Sequence, residues 1–366
     1  MLRRYSISIR SSSTRRVYAL SSSQQAVDDD WGCGPESGDV VIGEICELGQ
    51  HTRFEEPEGR EIPLKVADVV AVVLGRRYST LEFHGQVPKK LTLGGKFDLL
   101  NIGGIAGEVL SKNSLAHTPT RLIYLGHAVD DRGQKMNTAN FGLAVPAERG
   151  HKSSSPLGII AVFGSDMDCG KTLTAGRVIN ILTACGFKVG GAKLTGTSRL
   201  KDLLWMKACG AHLVLDFMDV GYPSTYQCSS DELEHIFEVF KGTFSLSGCD
   251  FLVMEVADGI FQRETEMVLQ SPAIMEDVCL LVFAARDSVS AYGGVCYLRQ
   301  SLGRAPDMIC GLITADPLSR AELSSRLKLP FLDDTLESKT YFMNLVNQKR
   351  QQQRVYGGVI KLPLYP

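Results

Sequence analysis

Residues Gly164-Ser165-Asp166-Met167-Asp168-Cys169-Gly170-Lys171-Thr172 follow the apolar run Leu157–Phe163 and precede Leu173–Leu182, a run with helical character. A strand, a glycine-bounded loop and a helix start, in that order, are the setting a phosphate-binding loop requires. Backbone N–H groups of the loop, added to the helix N-terminus, form an anion site before any side chain contributes. On this reading Gly164 through Gly170 cradle the phosphates, Lys171 reaches the terminal ones, and the Thr172 hydroxyl holds Mg²⁺. The competing reading, a tight turn that happens to contain Gly-Lys-Thr, leaves the agreement of strand, loop and helix signals unexplained. Five residues separate Gly164 from Gly170, one more than the common pattern.

Working outward, strand-like runs (Ile159–Phe163, Lys188–Ala192, Phe251–Val256, Val278–Ala284, Met308–Ile313) alternate with helix-like ones (Leu173–Cys185, Lys201–Cys209, Asp231–Lys241, Gly294–Leu302). Such alternation predicts an α/β domain over 157–335, a mostly parallel sheet with helices on both faces and ligands at the C-terminal strand ends. Residues 37–146 carry short β-type runs, Val40–Ile45, Val69–Leu74 and Leu122–Leu125, between turn signals. They predict a smaller β-rich domain, a barrel or a sandwich. Residues 147–156 read as a linker, and 336–366 as a C-terminal tail with a helix and an edge segment. Residues 1–36 read as a tail or targeting segment. Five arginines, many serines and no acid in the first 25 residues resemble a mitochondrial transit peptide. Tyr5-Ser-Ile-Ser-Ile, with its alternation, also suits a first strand. The expected location is cytoplasmic, or the mitochondrial matrix if that segment directs it there.

The 366 residues suit two domains, and 39 basic against 41 acidic residues leave a net charge of −2. That balance carries no footprint for nucleic acid, and no apolar run is long enough for a bilayer. None of the ten cysteines forms the close pair that opens a zinc site, so buried thiols in a reduced compartment are expected. The seven histidines form no pair at metal spacing.

Three more residues stand at ends of these runs: Lys193 in Gly190-Gly-Ala-Lys-Leu-Thr-Gly-Thr197, Asp202 in Lys201-Asp-Leu-Leu, and Glu255 closing Phe251-Leu-Val-Met-Glu. Phosphoryl transfer needs positive charge on the phosphate oxygens and a metal bridging them. Lys171 and Lys193 supply the charge, as candidate catalytic residues. Thr172, Asp202 and Glu255 offer hard oxygens to Mg²⁺. Taken singly, Lys193 is an ordinary surface lysine and Asp202 a favourable helix N-terminal charge. Glu255 is the stronger case, because a carboxylate ending an apolar strand is costly unless it meets a cation.

With the loop, these residues resemble dethiobiotin synthetase and the cobyrinic-acid-type amide synthases, over about residues 157–333. That family also has five residues between the glycines, as Gly-Thr-Asp-Thr-Glu-Val-Gly-Lys-Thr. It has a lysine after its second strand, where Lys193 stands, a metal-binding aspartate where Asp202 stands, and Glu-Gly-Ala-Gly-Gly where this chain has Glu255-Val-Ala-Asp-Gly. Leu194 stands in place of a proline, and Asp316 in Gly311-Leu-Ile-Thr-Ala-Asp-Pro317 where the family has a base-binding asparagine. An aspartate accepts hydrogen bonds from guanine, so GTP stands beside ATP. The resemblance implies an ATP-dependent, Mg²⁺-requiring enzyme that phosphorylates a carboxylate or carbamate for amide or urea formation. Two other classes remain: a nucleotide-gated binding or regulatory module, and an acyl or phosphate transferase on a P-loop scaffold. The expected partner is a small-molecule carboxylate or amine, with a homodimer as an open option. The loop Asp216–Thr225 reads as a pocket lining or a solvent loop, and Arg263, Glu264 and Glu266 as a solvated helix face.

Overall fold

The computed structural model describes residues 3–21, 25–28, 34–147 and 156–356. It divides into two compact units: unit 1 holds Met1–Ala144, Thr197–Lys201 and Asp216–Gln227, and unit 2 holds Val145–Gly196, Asp202–Leu215 and Cys228–Pro366. Most of the expected linker, residues 148–155, and the last ten residues lie outside the described residues.

Unit 1 is built on β1 (Arg3–Tyr5), β2 (Ile9–Arg10), β3 (Gln25–Asp28), β4 (Val40–Glu47), β5 (Arg53–Glu55), β6 (Glu61–Pro63), β7 (Val69–Leu74), β8 (Arg77–Tyr78), β9 (Phe83–Gln86), β10 (Lys96–Leu99), β11 (Ile105–Lys112) and β12 (Arg121–Ala128). The main sheet runs β1-β3-β12-β4-β7-β11-β9-β8, and β10 pairs with both β11 and β12. That double pairing closes β12-β4-β7-β11-β10 into a five-stranded barrel. The inside follows from period-2 alternation: Val41 and Ile45, Val70, Val72 and Leu74, Phe97 and Leu99, and Leu122 and Tyr124 form one buried cluster. The opposite faces of the same strands, with Val40, Ile42, Ala71 and Val73, are covered by Ile7, Val17, Leu20 and Met218. The Arg/Ser-rich start therefore contributes strands and core, and Ser11–Thr14 are fully buried.

Segment 216–227 is buried rather than a solvent loop. Asp216 N-caps a 3-10 helix, Phe217–Val220, through a capping box with Asp219. Arg15 pairs with both acids and Arg16 with Asp219.

Unit 2 contains β13 (Gly158–Gly164), α1 (Lys171–Ala184), β14 (Val189–Lys193), α2 (Lys201–Ala208), β15 (Leu213–Asp216), α3 (Ser230–Leu246), β16 (Phe251–Glu255), α4 (Arg263–Gln270), α5 (Pro272–Met275), β17 (Val278–Ala284), α6 (Ser288–Leu302), β18 (Met308–Cys310), α7 (Pro317–Ser324) and α8 (Leu336–Tyr356). The sheet order is β15-β14-β16-β13-β17-β18, with β14–β16, β16–β13, β13–β17 and β17–β18 pairing in parallel. Every residue of β13, β16 and β17 is buried, as continuous apolar strands covered on both faces must be. Ile160, Val162, Val178, Leu182, Phe251 and Leu280 join Phe342 and Val346 of α8 in one core. The expected α/β domain with its β-rich companion is the observed architecture. The strand expected at Met308–Ile313 stops at Cys310, where Gly311 turns the chain at φ 91° into a 3-10 helix.

Candidate functional site

The phosphate loop is shaped by its two glycines. A Cβ at Gly164 would lie 2.4 Å from Cys169 Sγ and 2.7 Å from Lys171 Cγ, so the turn closes only over glycine. Gly170, at φ 98°, N-caps α1 with no side-chain hydrogen bond, which leaves the first-turn N–H groups for a ligand. Ser165 N–H donates to Ala284 O (2.9 Å), and Leu312 N–H to Cys169 O (3.1 Å), which anchors the loop across β17 and the chain after β18. Lys171 is buried, and its Nζ donates to Asp166 O at 2.7 Å.

Lys193 ends β14, Glu255 ends β16, and the two are register partners at the C-terminal edge of the sheet. Asp202 lies in the first turn of α2. Thr172 Oγ1 is 3.1 Å from Asp202 Oδ1 and 3.1 Å from Glu255 Oε1, and Lys193 Nζ donates to Asp202 Oδ2. The metal and catalytic candidates Lys193, Thr172, Asp202 and Glu255 thus form one cluster beside the loop. A hydroxyl has one proton to give to these two carboxylate oxygens. The remaining contact needs a proton on a carboxyl or a cation between the oxygens.

Electrostatics points to the same place. Glu255 is 3% exposed, and its Oε2 has no hydrogen-bond partner among the described residues. Burial, reinforced by the Asp202 charge, pushes its carboxyl up to about 7, against the pull of Lys193 and Lys171. Burial also disfavours the Lys193 ammonium, but Asp202, Glu255 and Asp258 outweigh it and hold that group above its ordinary value. Among the described residues no three His, Cys, Asp or Glu side chains gather into a metal cluster. Two carboxylates, one hydroxyl and an orphaned buried oxygen do fit Mg²⁺, which keeps several waters and binds substrate phosphates.

The chain after Glu255 presses on the loop. A Cβ at Gly259 would meet Ser165 O at 2.8 Å, and Ile260 N–H donates to Gly164 O at 3.1 Å. Asp258 adopts φ 64°, the left-handed region that favours glycine, at a position where the resembled motif has glycine.

A cavity of about 440 Å³ opens beside the N-terminal half of α1, lined by Leu173, Thr174, Arg177, Gly311, Leu312, Thr314, Ala315, Arg320 and Asp333–Thr335. Arg177 pairs with Asp334 at 2.9 Å and Arg320 with Asp333 at 2.7 Å. Asp316, the expected base-binding residue, is not in this lining. Its carboxylate caps α7, accepting from Leu318 N–H and Ser319 N–H. The Asp-Pro pair at 316–317 is itself a helix-start signal. Arg177 was missed, although its position six residues beyond Lys171 on a helix places it near the loop. Glu264 is fully buried, paired with Arg263 and hydrogen-bonded to Gln262, rather than on a solvated face.

No family model matches the chain, and no curated protein matches it. Similar solved structures include the signal recognition particle receptor FtsY from Elizabethkingia anophelis in complex with GDP (12% identity, 55% of this chain, 66% of that chain, TM-score 0.36). Chloroplast FtsY from Physcomitrella patens (13%, 55% and 68%, TM-score 0.35) and the signal recognition particle 54 kDa protein from Aeropyrum pernix K1 in complex with GDP (16%, 56% and 49%, TM-score 0.34) are further examples. The chain spans about two thirds or less of the length of these neighbours. Among the described residues no helix is long and apolar enough to cross a membrane. A strand, a glycine-bounded loop, a helix start with no side-chain cap and adjoining carboxylates thus lie together at the C-terminal edge of the unit 2 sheet.

Proposed function

We propose that unit 2 binds a Mg²⁺–nucleoside triphosphate and transfers its γ-phosphoryl group. The observation that carries this reading is Thr172 Oγ1 at 3.1 Å from both Asp202 and Glu255, beside Lys171 and Lys193. In it the loop N–H groups and Lys171 hold the phosphates, Thr172, Asp202 and Glu255 hold Mg²⁺, and Lys193 neutralises charge on the transferred group. A metal held by Thr172, Asp202 and Glu255 would supply positive charge beside the transferred group. The base occupies the cavity beside α1, where apolar Leu173, Leu312 and Ala315 meet Asp333 and Asp334. A carboxylate there accepts from the N–H groups of guanine and repels the ring nitrogen lone pair of adenine, which favours GTP over ATP. The acceptor is a small carboxylate or carbamate, as the likeness of the loop, Lys193, Asp202 and Glu255 to dethiobiotin synthetase suggests.

A second reading, a nucleotide-gated regulatory module, is favoured by one observation: two segments from within the catalytic half, Thr197–Lys201 and Asp216–Gln227, belong to unit 1. Phosphate release with and without carboxylate and amine substrates separates the two. Lys171→Ala, which removes a charge and no core contact, is expected to abolish calorimetric binding of MgGTP and MgATP while circular dichroism stays unchanged. Unaltered binding and turnover in the variant would show that the loop does not hold phosphate.

A further inference from the structure

The cavity beside α1 carries the carboxylates of Asp333 and Asp334, and their surroundings give them different work. Asp333 is consumed by the fold. Its Oδ1 accepts from Thr335 N–H (2.9 Å) and Thr335 Oγ1 (2.6 Å), its Oδ2 pairs with Arg320 (2.7 Å), and its side chain is 9% exposed. Asp334, 76% exposed, accepts from Arg177 Nε on Oδ1 (3.2 Å) and from Arg177 Nη2 on Oδ2 (2.9 Å). A two-pronged pair of this kind fixes the plane of a carboxylate as well as its place. The guanidinium is anchored in turn, since Arg177 Nη1 donates to Leu332 O (3.0 Å) and to Cys310 Sγ (3.2 Å). The backbone leading to Asp334 is held too. Leu332 N–H donates to Ile309 O (2.8 Å), and Asp333 N–H donates to Ser338 Oγ (3.0 Å), which donates onward to Phe331 O (2.8 Å).

We infer that Asp334 is the residue that reads the purine base, that Arg177 is its positioning residue, and that the pair selects guanine by its 2-amino group. This rests on the reading of unit 2 as a nucleotide site with the base in this cavity. An ionised carboxylate offers about four lone pairs. Arg177 uses one on each Asp334 oxygen and leaves one on each. Guanine presents N1–H and the 2-amino group side by side, and a carboxylate whose plane is fixed meets both at once. Adenine presents a lone pair at N1, and hypoxanthine lacks the amino group, so neither completes the pair. Asp333, with three acceptor positions taken and its side chain buried, has no matching pair to offer. An exposed ion pair adds little to stability, so a forked, doubly anchored one at the mouth of a cavity serves orientation. The helix also links the two ends of the ligand. Lys171 and Arg177 lie on α1, about 9 Å apart along its axis at 1.5 Å per residue, so one rigid element carries the phosphate lysine and the group that sets the base reader.

The test uses the full chain and calorimetry with Mg²⁺ and five probes: GTP, ATP, inosine triphosphate, xanthosine triphosphate and inorganic tripolyphosphate. Wild type is expected to bind GTP about 10- to 100-fold more tightly than inosine triphosphate, the worth of one hydrogen bond to a charged group, and ATP more weakly still. Asp334→Asn keeps the shape and turns one acceptor into a donor. It should lose the preference for GTP over inosine triphosphate and favour xanthosine triphosphate over GTP by about 10-fold or more, because xanthine has a carbonyl where guanine has the 2-amino group. Arg177→Lys keeps the charge without the fork, and should reduce the preference for GTP over inosine triphosphate without inverting it. Tripolyphosphate has no base, so it should bind both variants within about twofold of wild type, as expected of a site whose own contacts are untouched. An unchanged preference in Asp334→Asn overturns the assignment, and so does loss of that preference in Asp333→Asn alone. A parallel fall in tripolyphosphate affinity marks general loosening and overturns the positioning role. Wild type that binds inosine triphosphate or ATP as tightly as GTP overturns the base reading and leaves the phosphate site standing. A wild type that binds neither tripolyphosphate nor any nucleotide refutes the functional reading itself, and the base reader falls with it.

Discussion

Replacing Glu255 by glutamine should make the ligand-free protein more stable and slow the turnover proposed for it. A carboxyl held at about 7 instead of 4.5 costs the folded state about 3 kcal/mol once ionised, at about 1.4 kcal/mol per pH unit. Between those two values the folded protein keeps a proton that the unfolded chain has released. Stability therefore falls as pH rises through that window and levels off above about 7. An amide at this position has no proton to lose and shows no such slope. Its oxygen still accepts from Thr172, which lies 3.1 Å from Glu255 Oε1, and its volume matches the strand end. In metal-free urea denaturation at pH 8, Glu255→Gln is expected to be more stable than wild type by about 3 kcal/mol, the two converging near pH 4.5. Its kcat at limiting Mg²⁺ is expected to fall about 100-fold or more, the loss of an electrostatic contact made mainly in the transition state. Stability is then exchanged for function at one oxygen, as strained sites commonly do. A variant destabilised by the same amount at both pH values, or one with wild-type kcat, refutes the reasoning.

Two further expectations concern unit 1. Burial pushes His51 down to about 4, with Arg77 adding to it, and with Glu82 and the 3.0 Å hydrogen bond from Nε2–H to Leu100 O opposing, so the folded state keeps the ring neutral at neutral pH. Acidification from 6.5 towards 4 is then destabilising, and His51→Gln should gain about 2 kcal/mol relative to wild type on going from pH 7 to pH 5 in urea denaturation; a difference that does not change with pH would show that His51 titrates normally. A fragment beginning at Ser153 lacks residues 1–144, the rest of the unit to which 197–201 and 216–227 belong, so those segments lose both the core they pack on and the Arg15 and Arg16 partners of Asp216 and Asp219. Gel filtration and limited proteolysis should find it aggregated or cut within 197–227, and a monodisperse fragment with full nucleotide affinity would contradict this.

The phosphate loop was legible because its sequence signals are local: Gly164, Gly170 and Lys171 fall within eight residues, and the strand before and helix after carry their own periods. Lys193 and Glu255 were legible for a related reason. In a parallel sheet, residues that end apolar runs share one edge, and β14, β16 and β13 are neighbours in the sheet. Asp316 was singled out by the resemblance alone, as standing where the family has a base-binding asparagine; in the structure its carboxylate caps the helix that Pro317 begins. The choice between barrel and sandwich stayed open because closure depends on β10, four residues that pair with two different strands, and nothing within Lys96–Leu99 announces two partners.

The hardest feature to read was the return of 197–201 and 216–227 to unit 1. Its determinants are pairs such as Arg15 with Asp216, 201 residues apart, and no local period encodes such a pairing. Yet the composition held a clue. An Arg/Ser-rich start with no acid carries charges and hydroxyls that need partners if it folds, and the acids that meet Arg15, Arg16 and Ser12 are Asp216, Asp219 and Glu55. The same residues that suggest a targeting segment are, in the folded chain, one half of a set of buried charge pairs. The other half is distributed between the barrel and the returning segment 216–227 of the same unit. Long-range complementarity of this kind makes one unit of the N-terminal residues and of segments that lie about 200 positions further along the chain.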